Sequence, residues 1–202
     1  EPKAPVDLST LPSRSPYVET DNKLFVPPFL GTRVERGIPL DNIAEYVNET
    51  ALLRNQWQYR PNKGETDSEF KDRIRPQFRE AIADAKRTGV LVPQVVYGYF
   101  AANKDGNDIV IWSDDSRTTE LTRFNFPRQT HEPYLCIADF VNEIEPDYVS
   151  FHIVTMGSAV SEETARLFAD NKYQDYRFLH GVGAEMAEAL AESWHGRISN
   201  EW

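Results

Sequence analysis

Cysteine is nearly missing: one residue, Cys136, stands in 202. A lone thiol closes no internal disulfide, and the four histidines do not combine with it at a zinc-ligand spacing. A small buried core residue is the expected role of Cys136, with no base beside it to make a nucleophile, and a reducing, cytoplasmic setting follows. Positive charge is also in deficit. Thirty-two acids against 22 lysines and arginines leave a net charge of −10, which argues against nucleic-acid binding, where clustered Lys and Arg supply most of the affinity. There is no apolar run of 18 residues and no signal-peptide pattern, so no membrane association is expected. The chain begins at Glu1 rather than Met and reads as a piece of something longer. Ser/His/Asp sets, P-loops and G-x-G-x-x-G motifs are missing too. No catalytic residue and no metal ligand is therefore assigned.

What is present is a substantial core: 40% of the residues are hydrophobic, enough for one domain preceded by an arm. Residues 1–28, with six prolines and no sustained period, read as an extended arm or linker that Tyr17 and Phe25 could pin; residues 29–202 read as the domain. The chain is organised around 94–126. Three runs rich in β-branched and aromatic residues, Val95 to Ala101, Asp108 to Ser113 and Thr118 to Phe126, are separated by turn-forming stretches at Asn103–Asn107 and Asp114–Arg117. This is an antiparallel meander, with the first run buried on both faces and the third wet on one. Asp147 to Thr155 adds a strand with Val149, Phe151 and Ile153 on one face and His152 on the other. The expected fold is α+β, a twisted antiparallel sheet with several packed helices in a single domain.

Helical spacing predicts a first helix over about Asp41 to Trp57, capped by Asp41, with Asn48 and Glu49 beside its apolar stripe, facing either a ligand or water. A capping box at Thr66 and Glu69 opens a second helix that ends at Gly89, and Pro76 inside it predicts a kink or break. Asp139 interrupts an apolar run and requires a partner, either a backbone N–H or an arginine such as Arg117 or Arg128. Ser161 is the expected cap of a third helix. The last and longest runs over about 173–199, where Gly181 and Gly183 imply close approach by a neighbouring backbone. Glu185, Glu188 and Glu192 line up on one side of it, either a solvated face or a site for a cationic group.

Several segments, in order, carry a resemblance: Y-V-N-E-T-A-L-L-R-N-Q-W (46–57), V-Y-G-Y-F-A-A-N-K-D-G-N-D-I-V-I-W (96–112), D-D-S-R-T (114–118), F-P-R-Q (126–129), Y-L-C-I-A-D-F-V (134–141), D-Y-V-S-F-H-I-V-T (147–155) and M-A-E-A-L-A-E-S-W-H-G-R-I (186–198). Together they resemble the C-terminal activation domain of cobalamin-dependent methionine synthases. The resemblance implies a module that binds S-adenosylmethionine and remethylates oxidised cobalamin held by another domain, with an electron from flavodoxin or a related reductase. It also implies two site residues. Asn48 matches a carboxylate or amide that contacts the amino-acid end of the ligand, and Glu188 a glutamate near it. The family's Arg-x-x-x-Gly-Tyr-Pro binding loop does not occur in these 202 residues, so weak binding is expected. The other function open to such a chain is a non-catalytic docking module for a cobalamin domain or flavodoxin, without S-adenosylmethionine.

Overall fold

The computed structural model describes residues 10–202; the first nine residues of the expected arm lie outside it. Among the described residues the order is β1 (Gly31–Arg36), α1 (Leu40–Ala44), a π-helical turn (Ala51–Gln56), α2 (Asp67–Thr88), β2 (Gln94–Asp105), β3 (Asp108–Trp112), β4 (Glu120–Asn125), a 3-10 turn (Ile137–Phe140), β5 (Asp147–Thr155), α3 (Ser158–Ala169) and α4 (Tyr173–Glu201). The fold is α+β. The sheet runs β1-β2-β3-β4, with β5 also pairing with β2. The described residues divide into two compact units, one of 10–32, Gly98–Phe151 and Glu201–Trp202, the other of Arg33–Tyr97 and His152–Asn200.

The first unit holds the meander. β2 and β3 are antiparallel with Asp105 opposite Asp108, leaving Gly106 and Asn107 as a two-residue turn in which Gly106 takes a left-handed φ of 62°. The turn was expected to open at Asn103, yet β2 continues through it. The side-chain amide of Asn103 donates to the Asn142 and Glu145 carbonyls at 3.1 and 2.9 Å and accepts from Trp112 Nε1 at 3.0 Å, so a turn-forming residue is satisfied inside a strand. β4 is antiparallel to β3 with an irregularity at Ile111/Trp112. It is exposed at every residue rather than on one face; it is the last strand in the order and pairs with β3 alone.

The core of this unit gathers Ala102, Ile109, Ile111, Cys136, Ala138 and Val141. Cys136 is buried and its thiol donates to the Phe126 carbonyl at 3.0 Å. The partner of Asp139 is Arg128: two bonds of 2.5 and 2.7 Å join side chains that are 0% and 2% exposed. The Ser15 N–H adds a third bond to the carboxylate, and Arg14 donates to the Asp139 and Val141 carbonyls. These polar contacts, more than the exposed rings of Tyr17 and Phe25, hold the segment around Ser15.

The second unit holds the helices. α2 has the expected capping box, with Thr66 Oγ1 accepting from Glu69 N at 3.3 Å and Glu69 Oε2 accepting from Thr66 N at 2.8 Å, and it ends on Gly89 at φ 68°. Phe70, Ile74, Phe78, Ile82 and Ala85 are its buried stripe. Pro76 does not break it, and the helix is continuous over 22 residues. α3 starts at Ser158 rather than at a Ser161 cap. Gly157 turns the chain there with a φ of 86°, and its N–H is held by Thr155 Oγ1 at 3.0 Å. α4 crosses onto the sheet strand, where Trp194 meets Tyr97 edge to face with ring centroids 5.4 Å apart.

Candidate functional site

The expected helix over 41–57 is two pieces. α1 stops at Ala44, residues 47 and 48 are non-helical, and a new turn begins. Asn48 is the reason: its Oδ1 accepts from Ala51 N at 3.1 Å, the bond of an N-cap to the third residue of a helix. Asp41 caps nothing, since Pro39 precedes α1 without a side-chain bond; its carboxylate pairs with Lys86 at 2.5 Å. The run that follows Asn48 widens into the π-helical turn Ala51–Gln56, a form that recurs at functional sites. Glu49 does not face an open site. Arg75 grips it with two bonds of 2.7 and 2.8 Å, and this guanidinium, against the cost of burial, holds the carboxylate below the ordinary glutamate value.

The π-helical turn lies against α4. Gly181 permits it: a Cβ there would stand 2.8 Å from Gln56 Cβ and 3.1 Å from Trp57 Cδ1. The approach expected at this glycine is real, but side chains make it rather than backbone. Gly183 similarly faces Val160 Cγ2 at 3.2 Å. Trp57 is locked by its Nε1 donating to the Phe178 carbonyl at 3.1 Å and by an edge-to-face contact with the Phe178 ring. One turn beyond Gly181, Gln56 Nε2 donates to Glu185 Oε1 at 3.1 Å.

Glu185 is the residue that sequence reasoning underrated. It sits on the glutamate side of α4 with Glu188 and Glu192, but it is only 5% exposed while the other two are open to solvent. Its Oε2 is buried and has no hydrogen-bond partner among the described residues. Burial pushes its pKa up, the Gln56 hydrogen bond works against that, and the nearby Glu188 charge reinforces it. Glu185 follows Gly181 by one helical turn on a face that also buries Val182 and Met186, and the packing of Gln56 and Trp57 at Gly181, distant in sequence, is what encloses it.

The two residues marked from the sequence thus lie on elements in direct contact. Asn48 begins the turn whose other end, Gln56, binds α4 at Glu185, and Glu188 is the next residue on that side of α4. Both are exposed. Neither lines a cavity of about 620 Å³ between the end of α2, α3 and the start of α4. His152, on the covered side of β5, is half-buried; burial lowers its pKa, and His195 adds to the effect. Among the described residues no group of three or more His, Cys, Asp or Glu could hold a metal ion, and no helix is long and apolar enough to cross a membrane.

Residues 40–202 match the model of the vitamin B12 dependent methionine synthase activation domain. The chain belongs to this activation-domain family. Across 98% of its length it is similar to the methionine synthases of Mycobacterium tuberculosis (strain ATCC 25618 / H37Rv) and Mycobacterium leprae (strain TN), each 36% identical over 212 residues. It spans 18% of the length of each. Its fold is similar to that of the MetH reactivation domain, solved bound to AdoHcy, with a TM-score of 0.76, 22% identity, and coverage of 88% of this chain and 57% of that one. The match places α1, the π-helical turn and α4 inside the activation domain. The segment before residue 40 lies outside the family model.

Proposed function

We propose that this activation domain belongs to a cobalamin-dependent methionine synthase and holds S-adenosylmethionine, between the π-helical turn and α4, for remethylation of oxidised cobalamin bound by another part of the enzyme. The observation that carries this reading is the buried, partnerless Oε2 of Glu185 beside the exposed Glu188, an arrangement that asks for a cationic group. The residues present fit the cationic end of S-adenosylmethionine, whose sulfonium supplies the methyl group when it is bound. Family membership and the AdoHcy-bound structural neighbour support the same ligand.

The roles of the chain's own residues follow from their chemistry. Glu188, open to solvent, pairs with the ligand ammonium. Glu185, oriented by Gln56, lies behind it, and a cation bound there favours its ionised form. Asn48 has already committed its Oδ1 to the Ala51 N–H, so it meets the ligand's amino-acid end with its Nδ2 donors and suits the carboxylate better than the ammonium. Catalysis in such a module is positioning, and the reacting groups belong to the two cofactors. The cobalamin-binding domain is the expected partner, and flavodoxin or a related reductase is the expected electron source. In the full-length enzyme, Glu188→Gln is expected to raise the dissociation constant for S-adenosylmethionine by about fivefold or more, as loss of a charge-assisted bond requires. An unchanged constant would return Glu188 to a plain solvated face.

A further inference from the structure

The cavity of about 620 Å³ between α2, α3 and α4 does not stand alone. A neighbouring one of about 320 Å³ shares Ala81, Asp84 and Phe178 with it, so the two form one continuous groove. Its floor along α2 is Gln77, Glu80, Ala81, Asp84, Ala85 and Thr88. That spacing is a helical stripe of about three turns, roughly 16 Å, separate from most of the stripe that α2 buries in the core. The opposite bank is Phe178, Leu179 and Val182 of α4 with Leu167 of α3. Small residues, Ala81 and Ala85 on α2 and Ala159 on α3, keep the floor low.

Charge selects the occupant. Among the described residues the charged ones lining the groove are Glu80, Asp84, Glu163 and Asp175, with no lysine, arginine or histidine. Two of these acids are held from outside it, Asp84 by Arg87 at 3.0 Å and Glu163 by Arg166 at 2.6 Å. Both pairs are solvent-exposed, of the kind that contributes little and exchanges readily. They keep the rim satisfied when the groove is empty and yield to a competing cation. An apolar trough three turns long with an acidic rim matches an amphipathic helix laid in a groove. We infer that this face of the activation domain receives a basic amphipathic helix of about three turns from a separate protein, its apolar face on Ala81, Leu179 and Val182 and its Lys or Arg residues against Glu80, Asp84, Glu163 and Asp175. The inference is independent of S-adenosylmethionine binding.

The test uses the whole 202-residue chain and a stapled helical peptide with leucines at i, i+3, i+4 and i+7 and lysines elsewhere. An otherwise identical peptide with glutamates for lysines is the control. Amide shifts in an NMR titration are expected at 77–88, 163–167 and 178–182 with the basic peptide and not with the acidic one. The double variant Asp84→Lys/Glu163→Lys changes exposed side chains and should keep the fold; it is expected to weaken binding about tenfold or more, and added salt to weaken it further. Ala81→Lys, which fills the floor, is expected to do the same. Equal binding of both peptides, shifts outside the groove, or indifference to the charge reversal would overturn the inference. So would self-association of the chain that Ala81→Lys abolishes, which would make a second copy the occupant.

Discussion

Gln56 and Glu185 join the π-helical turn to α4: the amide Nε2 stands 3.1 Å from Oε1, and Oε2 on the same carboxylate is buried with no partner. A buried carboxylate with one neutral donor favours its protonated form. The folded chain therefore binds that proton more tightly than the unfolded chain does, and the stability it contributes is complete below the ordinary glutamate pKa and lost as pH rises through the raised folded value. Glu185→Gln should remove this dependence and stabilise the chain by on the order of 1 kcal/mol at alkaline pH, measured by urea unfolding at several pH values. Loss of stability in the variant that appears only as pH rises through the folded pKa would instead show that the charge is needed in the fold.

Gly181 and Gly196 lie on the same helix and predict opposite outcomes. A Cβ at Gly181 meets Gln56 at 2.8 Å and the Trp57 ring at 3.1 Å, whereas one at Gly196 meets nothing within 4 Å. Gly196→Ala should therefore stabilise by about 0.5–1 kcal/mol from helix propensity alone. Gly181→Ala should destabilise by about 1–2 kcal/mol after that gain, because the π-helical turn must move. Thermal melts of the two variants decide it.

Asn48 caps the turn, and the effect of a charge at this position is separable from capping. Asn48→Ala should cost about 1 kcal/mol of stability. Asn48→Asp keeps an acceptor for the Ala51 N–H and should leave stability within about 0.5 kcal/mol. If the ligand's ammonium lies near this residue, the aspartate tightens S-adenosylmethionine binding; if its carboxylate does, as proposed, the aspartate weakens it. Calorimetry on the full-length variant distinguishes the two.

The Arg128–Asp139 pair carries the heaviest single penalty in the first unit. Asp139→Asn leaves a guanidinium that is 2% exposed without its counter-charge and should cost about 3–5 kcal/mol. Burial by itself would raise the pKa of Asp139, but bonds from Arg128 and the Ser15 N–H outweigh it and hold the carboxyl below its usual value. Its contribution is present above the unfolded aspartate pKa and lost as pH falls through the lower folded one. Acid unfolding of the wild-type chain should include this loss, and the Asp139→Asn variant should lack it.

Much of the architecture was legible because hydrophobic period and caps act locally. The α2 capping box, the turn at Gly106 and the α4 stripe need only neighbouring residues. The errors came where distant residues decide. Asn103 is a strand residue because Asn142, Glu145 and Trp112 satisfy its amide, and Ser161 is displaced as a cap by the turn at Gly157. The helix over 41–57 had a continuous apolar stripe, and only the competition of Asn48 for the Ala51 N–H divides it. At the candidate site the glutamate stripe was visible, but which glutamate is buried depends on where Gln56 and Trp57 press against Gly181, which no local pattern encodes.

The most direct test of the proposed site is an NMR titration of the 202-residue chain with S-adenosylmethionine. Binding weaker than low micromolar is expected, since the chain contains no Arg-x-x-x-Gly-Tyr-Pro loop, with amide shifts concentrated at 48–56 and 181–188 and diminished in Glu188→Gln. Shifts confined to other residues, or unchanged in Glu188→Gln, would contradict a methyl-donor site between the π-helical turn and α4.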